Sequence, residues 1–298
     1  MPSVRYRVRE AWEKNWPEIH AALTGNLPEF VLAARPHRLE GSVPAFCYHV
    51  VAWDALEADL AFLSLNDYTT LDADGLLDHL GGCRPAPERS VVLTFDDGAR
   101  NLHEVVWPLL KRHQMQAVAF VAPRFHPEIA RPDDHALPCG WDQIIEMHAS
   151  GALDFQSHTF EHRYVIRWPE PAPLRGTEPD SIEALLGPAL AMEDDFRLAR
   201  EILEERLTKP VHHLAFPKHN GTDEAVAIAK RSGYRACWGR VPPHRADNRP
   251  GGPTDQIVRI NGEFLRRLPG KGRRSLSEIL FDRHRANAAR LLRRRRAA

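Results

Sequence analysis

Short apolar runs alternate along the chain with stretches whose apolar residues recur every three or four positions. The short runs are typical of buried strands and cover residues 43–51, 91–95, 117–121, 153–156, 214–216, 234–238 and 257–260. The periodic stretches predict helices over residues 54–65, 102–113, 141–149 and 193–207, and Thr222 is a suitable N-cap for one more. This alternation predicts an α/β protein built on a parallel sheet or barrel.

Three segments lie outside this alternation. Residues 1–42 form an N-terminal extension, with a helix predicted over residues 9–23. Residues 163–190 contain five prolines, so we interpret them mainly as an ordered loop. Residues 283–298 form a basic tail, which leaves one main domain over residues 43–282. The proline-rich loop is either a lid that selects substrate or a passive surface insertion.

Charge is distributed unevenly along the chain. The formal net charge is +0, yet residues 283–298 hold seven arginines and no acid, so the remainder has 33 basic against 40 acidic residues. We therefore expect no nucleic-acid binding by the main domain. The tail either makes a peripheral contact with an anionic membrane through residues 283–296 or is a solvated terminus.

Targeting signals and cysteine spacing indicate the compartment. The charged N-terminus has no apolar core typical of a signal peptide, and no run is long enough to span a bilayer. The four cysteines stand far apart without a CxxC pair, which favours free thiols over disulfides. These features predict a cytoplasmic protein.

Two short motifs carry the candidate chemistry. The sequence TFDDG at residues 94–98 follows an apolar strand, so Asp96 and Asp97 should stand at its C-terminal end. The sequence SHTFEH at residues 157–162 places His158 and His162 four positions apart, on one face if the stretch is helical. One carboxylate, two imidazoles and an open position suit a divalent metal that activates water. The other aspartate is then left to accept a proton.

Together these motifs resemble the polysaccharide deacetylase family, also called the NodB-homology family or carbohydrate esterase family 4. The subgroup similar to poly-N-acetylglucosamine deacetylases matches best, with further likeness at residues 46–49, 60–80, 141–143, 151–155, 214–217 and 233–236. The resemblance implies a distorted, incomplete (β/α) barrel as the catalytic domain. It also implies that Asp97, His158 and His162 bind the metal and that Asp96 is the general base. Zn²⁺ is the default ion, and the ligand set also suits Co²⁺ or Ni²⁺.

The later family motifs are altered in this chain. Pro217 matches the family pattern, whereas Lys218 stands where a tyrosine is usual and would offer its backbone N–H to the oxyanion. The arginine that usually orients the base is absent from that segment, and Arg259 is a candidate replacement. His219 and His244 are candidates for the general acid, and we favour His219. Trp238 is either a pocket wall or a packed core residue.

The sequence therefore predicts a metal-dependent hydrolase that removes acetyl from an N-acetylated amino sugar, in an oligosaccharide, a polysaccharide or a lipid-linked sugar. A small non-peptide amide or an O-acetyl ester is an alternative substrate. A non-catalytic carbohydrate-binding homologue is a second alternative, because the later motifs are altered. Two histidines and one carboxylate also suit non-haem iron oxygenases, but the βα alternation does not fit their usual all-β scaffold.

Overall fold

The computed structural model describes residue 21 and residues 23–130, 137–172, 188–219, 221–240 and 245–285. Its strands are β1 (Ala45–Tyr48), β2 (Thr69–Thr70), β3 (Ser90–Phe95), β4 (Ala117–Val121), β5 (Leu153–Ser157), β6 (His213–Ala215), β7 (Ala236–Arg240) and β8 (Gln256–Asn261). Its α-helices are α1 (Glu29–Leu32), α2 (Trp53–Leu65), α3 (Ala73–Leu80), α4 (Trp107–His113), α5 (Trp141–Ala149), α6 (Met192–Leu207) and α7 (Asp223–Arg231). A π-helical turn, Leu102–Val106, precedes α4, and residues 276–285 are also helical.

Seven parallel strands close into a barrel. Neighbours follow the order β1–β8–β7–β6–β5–β4–β3, and β1 pairs with β3 to complete the ring. The short β2 adds to the beginning of β3, where Thr69 is paired with Ser90. The fold class predicted from the sequence is confirmed, with seven strands in the ring. Parallel strands bring all their C-terminal ends to one end of the barrel, the usual place for chemistry in such folds.

Side chains of each strand alternate between the barrel interior and the helical shell. On β3, Val92 belongs to the inner cluster, whereas Val91 and Leu93 belong to the outer one. Phe120 from β4 and Trp238 from β7 fill the interior. Helix α3 closes the amino-terminal end of the barrel, because its apolar face joins the inner cluster through Ala73, Leu76, Leu77 and Leu80. The opposite end stays available for polar side chains.

The described part of the N-terminal extension packs against the outside of the barrel. Phe30 and Val31 are buried in the outer cluster. Arg267 Nε donates to the Val31 carbonyl at 2.8 Å, and Arg273 Nη1 donates to the Ala34 carbonyl at 3.1 Å. These arginines satisfy carbonyls at the end of α1 that have no partner within the helix. Most of the helix predicted over residues 9–23 lies outside the described residues.

Several predictions about individual elements can be compared directly. The bounds of β4 and α5 are as predicted, whereas β1 is shorter at both ends and β7 begins two residues later. Thr222 caps α7 by accepting a hydrogen bond from the Ala225 N–H. All four cysteines are free, as predicted. No described helix has both the length and the apolar character needed to cross a membrane. Residues 173–187 of the proline-rich loop and residues 286–298 of the tail lie outside the described residues.

Candidate metal centre and active site

Two adjacent aspartates stand where β3 ends. Side chains alternate along a strand, so Asp96 points to the same side as Thr94, which is the inside of the barrel. Its carboxylate is buried there. Asp97 and Gly98 have φ of 72° and 63°, and this left-handed turn keeps the second carboxylate at the same end of the barrel. A Cβ on Gly98 would lie 2.7 Å from Nε2 of the buried His126, so this position requires glycine.

The two histidines occupy an irregular loop after β5. Thr159 and His162 have positive φ, at 67° and 51°, and the His162 N–H donates to Thr159 Oγ1 at 3.0 Å. The helical arrangement considered from the sequence is therefore wrong. The physical reason is that the left-handed backbone at Thr159 and His162 interrupts the repeated right-handed conformation that a continuous helix requires.

Backbone carbonyls orient both imidazole rings. His158 Nδ1 lies 2.8 Å from the Ala215 oxygen, and His162 Nδ1 lies 2.6 Å from the Ala172 oxygen. Because a carbonyl only accepts, each Nδ1 carries the ring proton and each Nε2 presents a lone pair. Ala172 belongs to the proline-rich loop, so the first part of that loop helps to build the site.

Both Nε2 atoms face Asp97. Asp97 Oδ1 lies 3.5 Å from His158 Nε2 and 3.3 Å from His162 Nε2, and all three side chains are buried. The three potential ligand atoms lie within 4.8 Å of one another. Among the described residues, His162 Nε2 has no hydrogen-bond partner. A buried acceptor without a partner destabilises the folded protein, because it has lost its hydrogen bonds to water. This donor set fits a divalent cation.

The protonation states also suit a cation. The pKa of Asp97 lies well below its usual range although burial alone would raise it, so this carboxylate is ionised. Burial lowers the pKa of His162, so this ring is neutral at neutral pH. An ionised carboxylate and neutral imidazoles are the forms that bind a divalent metal.

Asp96 has a different partner. Arg259 Nη1 donates to Asp96 Oδ1 at 2.7 Å and Nη2 donates to Oδ2 at 3.1 Å, with both side chains buried. Burial would raise the pKa of Asp96, yet the charge and hydrogen bonds of Arg259, together with smaller contributions from His158 and His49, outweigh burial and the pKa is lowered. The contact proposed from the sequence between Arg259 and Asp96 is therefore present, and Asp96 is an oriented carboxylate.

His219 joins the same group. Arg259 Nη2 lies 2.9 Å from His219 Nδ1, so Nδ1 accepts and the proton of the neutral ring is on Nε2. Cys47 Sγ lies 3.5 Å from Asp96 Oδ2 and 3.8 Å from His219 Nε2. Burial raises the pKa of Cys47 above its usual range, so the thiol stays protonated and donates to Asp96.

Cys47, Asp96 and His219 also lie close enough together to hold a metal. However, the Arg259 guanidinium donates to Asp96 and to His219, and its fixed positive charge repels a cation at this point. Of the two groups, Asp97 with the two histidines is therefore the better suited to a cation.

The remaining predicted site residues divide into two groups. Pro217 is buried, and Lys218 and His219 continue from it with positive φ of 57° and 62°. Trp238, in contrast, has no exposed surface, and its Nε1 donates to His213 Nδ1 at 3.1 Å. The pocket-wall interpretation of Trp238 is corrected, because the alternation of β7 directs this ring into the barrel interior. His244 lies outside the described residues.

Two residues near the site were not predicted. The His49 ring lies 5.8 Å from the His219 ring, centroid to centroid, and it is close enough to interact electrostatically with both Asp96 and Asp97. The sequence could have identified His49, because it directly follows an apolar strand and the C-terminal ends of parallel strands meet at the active end of the barrel. Asp195 in α6 binds the histidine loop. Nothing in the sequence pattern distinguishes it from its acidic neighbours.

The fold and these residues together define a parallel (β/α) barrel with a candidate metal site where its strands end. A family model described as polysaccharide deacetylase matches residues 84–237, which is more than half of the chain. The chain belongs to the polysaccharide deacetylase family. This membership confirms the family predicted from the motifs.

Comparison with individual proteins agrees with this assignment. The poly-beta-1,6-N-acetyl-D-glucosamine N-deacetylase of Escherichia coli (strain K12) is 28% identical over 142 residues, which are 44% of this chain and 21% of that protein. The chain therefore matches only about a fifth of that relative's length. The structure of IcaB from Ammonifex degensii has a TM-score of 0.59 at 22% identity, covering 77% of this chain and 94% of that one. A de-N-acetylase from Aggregatibacter actinomycetemcomitans has a TM-score of 0.57 at 22% identity, covering 74% of this chain and 95% of that one. These structures show a shared fold.

Proposed function

We propose that the chain is a metal-dependent deacetylase that removes acetyl from an N-acetylated amino sugar in an oligo- or polysaccharide. The observation that carries this proposal is the different environment of the two carboxylates. Asp97 faces two imidazole nitrogens, whereas Asp96 is bound by the Arg259 guanidinium. One carboxylate therefore suits a metal, and the other suits proton transfer. The name of the Escherichia coli relative supports a polymer of N-acetylglucosamine as the substrate class.

Asp97, His158 and His162 would hold the metal, with Zn²⁺ as our first choice and Co²⁺ or Ni²⁺ as alternatives. A divalent ion supplies Lewis acidity that activates water and polarises the acetyl carbonyl. Asp96 accepts a proton from the water that attacks the carbonyl carbon. Arg259 keeps Asp96 ionised and fixes its orientation. The backbone N–H of Lys218 remains our predicted donor to the oxyanion.

The amine leaving group needs a proton, and two histidines lie near Asp96. His219 accepts a hydrogen bond from Arg259 at Nδ1, so a second proton on this ring would face the guanidinium. We therefore revise the assignment based on sequence and give His219 a hydrogen-bonding role through Nε2–H. His49 becomes the proposed acid, because its ring lies 5.8 Å from the His219 ring at the same end of the barrel and an imidazole can carry and release a second proton.

Acetate release from a panel of substrates tests the proposal. The panel contains N-acetylglucosamine oligomers of increasing length, small acetamides and O-acetyl esters. Protein is assayed as purified, after chelation, and after addition of Zn²⁺, Co²⁺ or Ni²⁺. Asp96→Asn removes the proton acceptor, and Asp194→Asn is the matched control because Asp194 is exposed on α6.

We expect release from the oligomers that is lost on chelation, restored by metal and absent in Asp96→Asn. Release confined to small acetamides or esters would retain the metal-dependent hydrolase but replace the substrate class. A folded protein that binds no metal and releases no acetate would overturn the catalytic proposal and favour a carbohydrate-binding role.

A further inference from the structure

Asp195 binds the middle of the loop that carries the two histidines. It lies in the first turn of α6 and has no exposed surface. Its Oδ1 accepts a hydrogen bond from the Phe160 N–H and its Oδ2 accepts one from the Glu161 N–H, each at 2.9 Å. A single carboxylate thus holds two successive amides between His158 and His162.

This loop needs external support. Thr159 and His162 both adopt positive φ although neither is a glycine, and this backbone conformation is unfavourable for residues that carry a side chain. Local bonds within the loop are few: the Thr159 N–H donates to Ser157 Oγ at 3.2 Å, and the His162 N–H donates to Thr159 Oγ1. The conformation therefore depends on residues from other elements.

A second contact fixes the far side of the loop. Arg163 Nε donates to Glu161 Oε2 at 2.7 Å, and Arg163 Nη1 donates to the Pro169 carbonyl at 2.6 Å. This buried ion pair ties the loop to the segment whose Ala172 carbonyl orients His162. Asp195 binds the backbone of the same Glu161, so the two contacts act on one point of the chain.

The position of Asp195 on its helix favours this role. Carboxylates in the first turn of a helix interact favourably with the helix dipole. The adjacent Asp194 lies in the same turn, but it is 56% exposed and pairs with Arg197 on the surface at 3.0 Å. The two aspartates therefore share a helix terminus, and only Asp195 reaches the histidine loop.

We infer that Asp195 is a positioning residue for the metal centre, which holds the loop so that His158 and His162 converge on Asp97 before a cation binds. This inference rests on the proposed metal-dependent function. Outer partners of metal ligands typically change metal affinity by about 10- to 100-fold when they are removed. We expect a loss of that size when the carboxylate of Asp195 is replaced.

The test compares Asp195→Asn with Asp194→Asn. Asparagine keeps the size of Asp195, but one oxygen becomes an amide donor that faces a backbone N–H. Zn²⁺ binding to the metal-free variants is measured by competition with a chelating dye, and folding is checked by circular dichroism. Asp195→Asn should bind Zn²⁺ about 10- to 100-fold more weakly than wild type, whereas Asp194→Asn should bind like wild type.

Activity at different metal concentrations separates positioning from general stability. Asp195→Asn should lose most activity at limiting Zn²⁺ and recover much of it at saturating Zn²⁺, because the ion then holds the histidines itself. A folded Asp195→Asn protein with the Zn²⁺ affinity of wild type would overturn the inference. A wild-type protein that binds no metal would instead overturn the proposed function.

If Asp195→Asn does not fold, amide hydrogen exchange of the metal-free wild-type protein still tests the inference. The Phe160 and Glu161 amides should exchange slowly without metal, because the Asp195 carboxylate already occupies them. Fast exchange at both amides, becoming slow only after Zn²⁺ is added, would show that the metal orders the loop. That result would overturn the positioning role.

Discussion

Arg259 and Asp96 are joined by two parallel hydrogen bonds inside the barrel, although they are separated by 163 positions in the sequence. The guanidinium also lies 5.2 Å from the centre of the Phe120 ring and donates to Thr94 Oγ1 at 3.2 Å. Packing and hydrogen bonds thus fix Arg259, and Arg259 in turn fixes the carboxylate. Planar, two-point binding of this kind is specific to arginine.

Arg259→Lys should lower kcat/KM by about 100-fold, because a lysine keeps the charge but loses the fork that orients Asp96. Acetate release at saturating metal measures this effect. Arg197→Lys on the exposed face of α6 is the matched control and should retain activity. Wild-type kcat/KM in a folded Arg259→Lys protein would show that the orientation of Asp96 does not limit catalysis.

The acid limb of the pH profile should move when the charge is removed altogether. Burial raises the pKa of Asp96 and the charge of Arg259 lowers it, and the pKa is lowered overall. Arg259→Met removes the largest of the lowering contributions and leaves the effect of burial, so the pKa of Asp96 rises. Ionised Asp96 is the active form, so activity of the variant should be lost at a higher pH than in wild type as pH falls. An unshifted acid limb would contradict Asp96 as the base.

Metal should stabilise the wild-type fold. A ligand that binds only the native state adds about 2.7 kcal/mol at 100 times its dissociation constant. Urea unfolding of metal-free protein with increasing Zn²⁺ should show this gain, and His162→Gln should abolish it. His103→Gln, at a partly exposed ion pair with Glu146, should retain it. Equal Zn²⁺ stabilisation of wild type and His162→Gln would exclude His162 as a ligand.

The two histidines near Asp96 should behave differently. Replacing a general acid typically costs about 10²- to 10⁴-fold in rate. His49→Gln should show this loss and should also remove the basic limb of the pH profile. His219→Gln should lower activity but leave the basic limb in place. The reason is that His219 donates a hydrogen bond through Nε2–H as a neutral ring and does not lose a proton in the reaction. The opposite pattern would return the acid role to His219.

Trp238→Phe distinguishes a core residue from a pocket wall. The variant removes the donor to His213 Nδ1, and a buried acceptor without a partner typically costs about 1–3 kcal/mol. We expect the free energy of unfolding in urea to fall by that amount, with KM unchanged. A raised KM with unchanged stability would place Trp238 in the substrate pocket instead.

Part of the site followed from local sequence. The apolar run at residues 91–95 predicts a strand, and a parallel fold then places Asp96 and Asp97 at the active end. Periodicity also predicted α5 and α6, because each helix needs an apolar face over its own length. His158 and His162 were identified as candidate ligands by residue type and spacing. All of these signals lie within a few neighbouring residues.

The remaining features depend on contacts between residues that are far apart in the sequence. The carbonyls of Ala215 and Ala172 select the nitrogen atoms that face Asp97, yet a carbonyl is present in every residue and leaves no trace in the sequence. Asp195 and Asp194 are identical in type, and only the packing of α6 decides which one reaches the histidine loop.

Local propensity and residue chemistry were sufficient to predict the βα alternation, the paired aspartates and the two histidines. They could not predict the irregular backbone of the histidine loop or the packing of Trp238 inside the barrel. Arg259 was a candidate partner of Asp96 from the sequence, and the tertiary structure provides their two-point contact. The physical reason is that hydrogen bonds and packing act over a few ångströms in space, whatever the separation along the chain.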